Sequence, residues 1–485
     1  MIEVQVHRQL LNLLRQQPPD IPWPHQLTMG RLVARALTTG RNALMQVSGS
    51  GEHRLSYLLP ALSCPQPVIV CAPPATGQHL LRVELPRLRE HIASAKPICF
   101  AQQWPHSDWQ GVLVTDVAVF LRDCLKGGRV FPAGVTVIVD EAQGLEDWAT
   151  RALEERADPG DWDVLRDCLP DRAEALLGWR VRLAQDLLGC SAERVELDPH
   201  RSAELSALLS GASQLPPPWP ELLVQVGQPG RILWTQTYRS SGQFSLISSP
   251  AEVATTLNKH LWSHHPAVVI GEALDPFKQA VTFRARLGLE EQMTCLQFPA
   301  DRREQEVLLY LPTDLPDPTT PHYYQMLKPM IEELIARAAG PLVALLQPVA
   351  LRRQLGAHLA ALFGSRVTID SSRSHANSIT LCSWEFWETH HPYMNPPVTL
   401  AVCNLPVPSL ENPLVAGRVR LLKQQRRDWF REYLLPETLG RLQRGISPLR
   451  PTQGLVALLD NRVNRSYGGQ LLDCLTPARR VRYLE

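Results

Sequence analysis

The chain has 485 residues, 44% hydrophobic and 20% charged. That suits roughly two to four packed domains and excludes wholesale disorder. A formal net charge of +1 confines any nucleic-acid surface to a local patch, and ten cysteines are too few for a disulfide scaffold. No apolar run approaches the roughly 18 residues of a membrane span, and the opening lacks a basic-then-apolar leader pattern. A soluble, cytoplasmic protein without membrane contact is expected. Of 49 basic side chains only six are lysines, and no Gly-Lys dipeptide occurs. A Walker A loop of the usual form is therefore excluded.

Helical spacing of apolar residues predicts helices over 3–16 and 26–38, separated by Pro18, Pro19, Pro22 and Pro24. Ala43–Val47 then reads as a strand running into Ser48-Gly49-Ser50-Gly51, with a helix over 55–62. Residues 67–71, 111–115 and 135–139 read as buried strands of a parallel sheet covered on both faces. From about 146 to 228 the pattern is helical, with no clear β run. Strands resume at 231–236, 244–247 and 267–270. A second α/β unit follows, with strands at 307–311, 342–346, 366–369, 378–382, 399–402 and 455–459. The link from Pro312 to Pro321 holds four prolines and is expected to hinge.

The chemical signal is Val137-Ile138-Val139-Asp140-Glu141-Ala142-Gln143. A buried strand that delivers two adjacent carboxylates is the Walker B arrangement. The first carboxylate would hold Mg²⁺, and the second would orient or deprotonate the attacking water. An ordinary strand-end acidic pair is the alternative. The expected phosphate loop, residues 48–54, offers Gly49, Ser50 and Gly51 at a helix start, which suits an anion. It lacks both the phosphate-binding lysine and the metal-ligating hydroxyl. Glu52 adds repulsion, while His53 and Arg54 offer positive charge. A plain strand–turn–helix connection is the alternative.

Several ordered motifs resemble the DinG/XPD branch of superfamily 2 DNA helicases over most of both α/β units. Pro24-His25-Gln26-Leu27-Thr28-Met29 resembles the adenine-side RPxQxxM segment. Leu55–Leu62 resembles the helix after Walker A, which puts His53 at the lysine position and Arg54 at the Ser/Thr position. Thr115-Asp116 and Asp140-Glu141-Ala142-Gln143 resemble the TNHALL and DEAH segments. In the second unit, Phe386-Trp387-Glu388, Leu405-Pro406 with Asn412-Pro413-Leu414, Gln443–Arg450, and Gly454–Val463 with Ser466-Tyr467-Gly468 resemble SFWEG, LPF…dPL, QGxGRxIR, and the closing RGVVxxLDxR and SYG.

The resemblance implies an α/β fold of two RecA-like, P-loop-type parallel-sheet lobes with a helical insertion in the first. The divisions are 1–145 and 229–300 for lobe 1, 146–228 for the insertion and 301–485 for lobe 2. It implies ATP and Mg²⁺ as cofactors. Gln26, Gly49, Ser50, Gly51, His53, Arg54 and Gln443 would lie around the nucleotide, Asp140 would hold the metal, and Glu141 and Arg450 would be catalytic.

The departures weigh against retention of ATP hydrolysis. The γ-phosphate arginine falls on Ser447, and the TSATL coupling segment falls on Ile270-Gly271-Glu272-Ala273-Leu274 without its hydroxyls. No two cysteines lie within four residues, so no iron–sulfur cluster is expected. A basic stretch with aromatics, including Arg426, Arg427, Trp429 and Arg431, suits a single-strand path, or else a solvated helix face. The favoured expectation is a helicase homologue that binds single-stranded or forked DNA, or serves a repair or replication protein, with hydrolysis lost or impaired. A working helicase with an unusual phosphate loop and a pure interaction scaffold are the alternatives.

Overall fold

A computed structural model describes residues 2–16, 23–48, 51–92, 94, 96–212, 214–300, 305–312 and 314–482. The chain opens with helices Ile2–Gln16 and Gln26–Thr39, followed by β1 (Ala43–Val47) and β2 (Val68–Ala72). Next come β3 (Ile98–Phe100), β4 (Val112–Asp116) and β5 (Thr136–Val139). Four strands then form a separate unit: β6 (Glu155–Ala157), β7 (Arg194–Glu196), β8 (Arg231–Tyr238) and β9 (Gln243–Pro250). The chain returns through β10 (Ala267–Glu272) and β11 (Thr294–Gln297) to complete a seven-stranded parallel sheet, ordered β11-β1-β10-β5-β2-β4-β3.

The second lobe holds β12 (Val307–Tyr310), β13 (Leu342–Leu345), β14 (Val367–Ile369), β15 (Ile379–Cys382), β16 (Thr399–Val402), β17 (Leu455–Leu458) and β18 (Ala478–Val481). Its sheet is also parallel, ordered β14-β15-β13-β16-β17-β12-β18. The expected α/β class with two RecA-like lobes is what the chain adopts. The central strands β1, β2 and β5 are buried along their whole length, so alternate side chains feed two cores. Ile138 packs on one face, and Val137 and Val139 pack on the other.

Three features differ from the sequence expectation. Residues 155–157 and 194–196 are strands inside the segment read as wholly helical; three residues are too few to register a period of two. Strands β8 and β9 pair antiparallel with each other and with these two, so they join the insertion and not the lobe 1 sheet. The proline-rich link 312–321 runs from β12 to the helix Pro321–Arg337, both within lobe 2. It is an internal connection of that lobe and no hinge between lobes.

The insertion has its own core, in which Trp162 stacks on Trp179 at 5.4 Å and meets Trp219 edge-on at 4.6 Å. Its sheet also supports lobe 2. Gly417 of the helix Pro413–Gln424 lies so close to Ile232 that a Cβ would sit 2.2 Å from the Ile232 Cδ1. Among the described residues, no helix is long and apolar enough to cross a membrane.

The helix Leu55–Ser63, which follows the candidate phosphate loop, is anchored at its far end. Lys96 Nζ donates to the carbonyls of Ala61 (2.8 Å), Cys64 (2.7 Å) and Gln66 (2.6 Å), so one ammonium gathers three acceptors at the helix C-terminus. Lys96→Met is expected to cost about 1–3 kcal/mol, seen as a lower urea midpoint.

Candidate functional site

β5 lies between β10 and β2, and its end delivers Asp140 to the floor of the site with no solvent exposure. The turn Glu52–Arg54 and the first turn of the following helix reach across to it. His53 Nε2 lies 3.0 Å from Asp140 Oδ1, and the Glu141 backbone N–H donates to the same oxygen at 2.9 Å. Arg54 Nε and the Tyr57 hydroxyl donate to Oδ2 at 3.2 and 2.8 Å. A carboxylate has about four lone-pair sites, and here all four are taken.

Glu141 follows in a left-handed conformation, φ 56°. Its Oε1 accepts from Arg54 Nη2 at 3.1 Å and from the Thr76 hydroxyl. Arg54 thus bridges both carboxylates. Gly51 precedes the turn at φ 95°, a conformation that favours glycine, and a Cβ there would lie 2.6 Å from Arg54 Nη1.

The electrostatics follow from this geometry. Burial pushes the Asp140 carboxyl up, but His53, Arg54 and the Tyr57 hydroxyl outweigh it and hold the group well below the usual carboxylate range. Burial works against the Arg54 charge, yet Asp140, Tyr57 and Glu141 raise its pKa. Glu141 is raised, first by burial and then by the Asp140 charge, against the Thr76 hydrogen bond and Arg54.

The adenine-side segment packs beside the loop. Trp23 makes edge contacts with His25, His53 and Phe298 at 5.2, 6.5 and 5.6 Å, and His25 Nε2 meets the Pro299 carbonyl at 3.1 Å. Gln26 is buried, and its carbonyl accepts from the Ser56 hydroxyl at 3.1 Å. Gly49 and Ser50 lie outside the described residues.

Gln443 and Arg450 stand apart from the carboxylate cluster and line an interlobe cavity of about 580 Å³. The Arg450 guanidinium is spent on carbonyls, those of Gln305 (3.0 Å), Pro477 (3.3 Å), Leu475 (3.1 Å) and Thr476 (3.4 Å). The cavity carries four carboxylates, Glu272, Asp275, Glu432 and Asp473, against the guanidiniums of Arg431 and Arg450. Glu272 ties the lobes together. Its N–H donates to Gln143 Oε1 at 3.2 Å, and its carboxylate pairs with the Ser447 hydroxyl. Desolvation raises the Glu272 carboxyl against that bond and the charges of Arg444, Arg450 and His53.

No known protein-family profile matches the chain. Two curated relatives do. The chain is 24% identical over 434 residues to the ATP-dependent DNA helicase YoaA of Escherichia coli, covering 76% of this chain and 68% of that protein. It is 24% identical over 263 residues to YoaA of Haemophilus influenzae, covering 51% of this chain and 41% of that one. Among solved structures, an XPD helicase superposes with a TM-score of 0.64 at 12% identity, covering 94% of this chain and 99% of that one. S. tokodaii Xpd4 superposes at 0.62 with the same identity and coverages. The chain is thus similar to YoaA in sequence and to XPD helicases in fold.

The basic stretch runs from Arg418 to Arg444, and most of it is paired. Arg418 is buried against Glu146, Arg420 forks onto Glu196 at 2.8 and 2.6 Å, and Arg441 forks onto Glu388 at 2.8 Å twice. Arg427 Nε reaches Glu432 at 2.7 Å. Lys423 lies over the half-buried Trp429 ring at 5.0 Å. Arg426 is exposed at φ 56°, with no side-chain partner among the described residues. Arg431, 81% exposed, has among the described residues only a loose pairing with Asp428 at 3.7 Å.

The structure gives a site role to three residues that the sequence did not single out within their segments, Tyr57, Thr76 and Glu272. Tyr57 carries the one phenol in a helix otherwise made of aliphatic residues and two serines, a signal that was legible. Thr76 sits in the first turn after β2, and Glu272 is the single acid at the end of β10.

Proposed function

We propose that this DinG/XPD-like chain binds single-stranded or forked DNA in the cytoplasm and has lost ATP hydrolysis. The observation that carries the reading is Arg54, whose guanidinium bridges Asp140 and Glu141. Octahedral Mg²⁺ with ligands at about 2.0–2.1 Å needs open carboxylate directions, and Asp140 has none left. His53 Nδ1 is buried without a partner among the described residues, but one ring nitrogen does not neutralise a triphosphate tail. These residues do not fit Mg²⁺-nucleotide. DNA is supported as the ligand by the curated relatives' description as DNA helicases and by the exposed Arg426 and Arg431 beside Trp429.

The test is DNA-stimulated ATP turnover on the full chain, with Glu141→Gln beside it and anisotropy on a labelled forked oligonucleotide. Turnover is expected at least about 10³-fold below a working helicase, because the charge of an arginine finger alone is worth that much. The Glu141→Gln chain should match the unaltered one, and both should bind the fork. Turnover that disappears in Glu141→Gln overturns the loss of hydrolysis. A chain that leaves the fork free in low salt overturns the DNA reading and favours a protein scaffold.

A further inference from the structure

Arg286, on the lobe 1 helix Val281–Leu287, donates to Glu146 of the lobe 1 helix Leu145–Ala152. The same nitrogen reaches Glu437 of the lobe 2 helix Leu435–Ile446 at 3.1 Å. From lobe 2, Arg418 returns across the boundary. It lies 3.5 Å from Glu146 and donates to the Thr150 hydroxyl at 3.1 Å. The Tyr433 ring contacts both guanidiniums, with Arg286 at 5.3 Å and Arg418 at 5.6 Å from its centre.

The Arg418 and Glu146 side chains are 10% and 13% exposed and those of Arg286 and Glu437 21% and 30%, so water screens this cluster less than it would a surface pair. A buried ionic cluster specifies geometry, because partial separation strands a desolvated charge. Each lobe contributes one acid and one arginine, and the pairs Arg286–Glu437 and Arg418–Glu146 cross the boundary, so sliding or rotating one lobe breaks both at once. Two further contacts fix the same relation. Arg444 of lobe 2 donates to the Ala273 carbonyl of lobe 1 at 3.3 Å. The helix Pro413–Gln424 is seated on the insertion by Leu414 and Leu421, which pack against Ile232 and Trp234.

We propose that the Glu146–Arg286–Glu437–Arg418 cluster latches the two lobes in one fixed relation, so that the composite two-lobe surface exists without any nucleotide. A nucleotide bound between the lobes is thereby relieved of a closing role, since a ligand shifts only an equilibrium between states it binds differently.

Single-molecule energy transfer tests this on the full chain, with dyes on encoded azido residues replacing the exposed Arg122 of lobe 1 and Glu333 of lobe 2. One narrow transfer peak is expected, unmoved by ATP with Mg²⁺. Arg286→Met with Arg418→Met should broaden the peak and move it to lower transfer while circular dichroism stays native. Two wild-type peaks, or a peak that shifts with ATP, overturn the latch. So does a folded double variant that keeps the wild-type peak. The unaltered chain alone decides the first two outcomes, so a variant that misfolds leaves the proposal open to refutation. Turnover is a separate readout, so the latch and the loss of hydrolysis fail independently.

Discussion

Arg54→Ala is expected to lower stability by about 3–5 kcal/mol, the range for stranding one partner of a buried ion pair. Asp140 would keep His53, Tyr57 and the Glu141 N–H, but it would lose the permanent charge beside Oδ2. Glu141 would lose its only cation within ion-pair distance among the described residues. Arg54→Lys should recover less than half of the loss, because one ammonium replaces a fork that serves two carboxylates. The measurement is urea unfolding at neutral pH. The pH dependence has a definite sign. The folded Asp140 carboxyl lies below its unfolded value of about 3.9, so its contribution is present above that pH and is lost as pH falls further. Without Arg54 the depression shrinks, so the gap between wild type and variant should narrow below about pH 4. A gap that stays constant into acid would mean that Arg54 acts through packing alone.

Glu146→Ala should cost about 3 kcal/mol or more, because one carboxylate serves Arg286 and Arg418 together in a desolvated setting. Its neighbour Glu437 sits in the same field. Burial pushes the Glu437 carboxyl up, but Arg286, Arg444 and Arg441 bring it down to about 2. Its stabilising share is therefore complete above about pH 4.3, the unfolded value for glutamate, and falls away as pH drops toward 2. The useful control is Glu196→Ala. It removes the partner of Arg420, which is 53% exposed, and should cost no more than about 1 kcal/mol. Chemical denaturation of both variants checks the contrast. Equal losses would mean that the interlobe cluster is no more than a surface pairing.

The inner strands of both sheets were legible because burial on two faces leaves an unbroken apolar run, as in Val137-Ile138-Val139. β3, β11 and β18 went unread because they lie at sheet edges, where one side faces solvent and the run is diluted by residues such as Arg479 and Arg480. The helicase-like architecture was legible through motif order. Asp140, Glu141, His53 and Arg54 were identified singly, but sequence spacing says nothing about a guanidinium folding back 86 positions away onto two carboxylates. The basic stretch misled for the same reason. Counted along the chain it is a cationic run, yet its partners Glu146, Glu196 and Glu388 come from distant elements. Of its exposed members, Arg420 and Arg427 are forked or paired onto carboxylates and Lys423 lies over Trp429, which leaves Arg426 and Arg431 as the least engaged among the described residues.

The seating of the helix Pro413–Gln424 on the insertion has a consequence for synthesis. Ile232 and Trp234 leave the ribosome about 180 residues before Leu414 and Leu421, and at about 5–20 residues per second that interval is roughly 10–40 s. For that time the finished insertion carries an apolar seat that Leu414 and Leu421 have not yet covered. Exposed apolar surface favours association between nascent chains in this window, and a chaperone that shields the seat would act on the half-made protein alone.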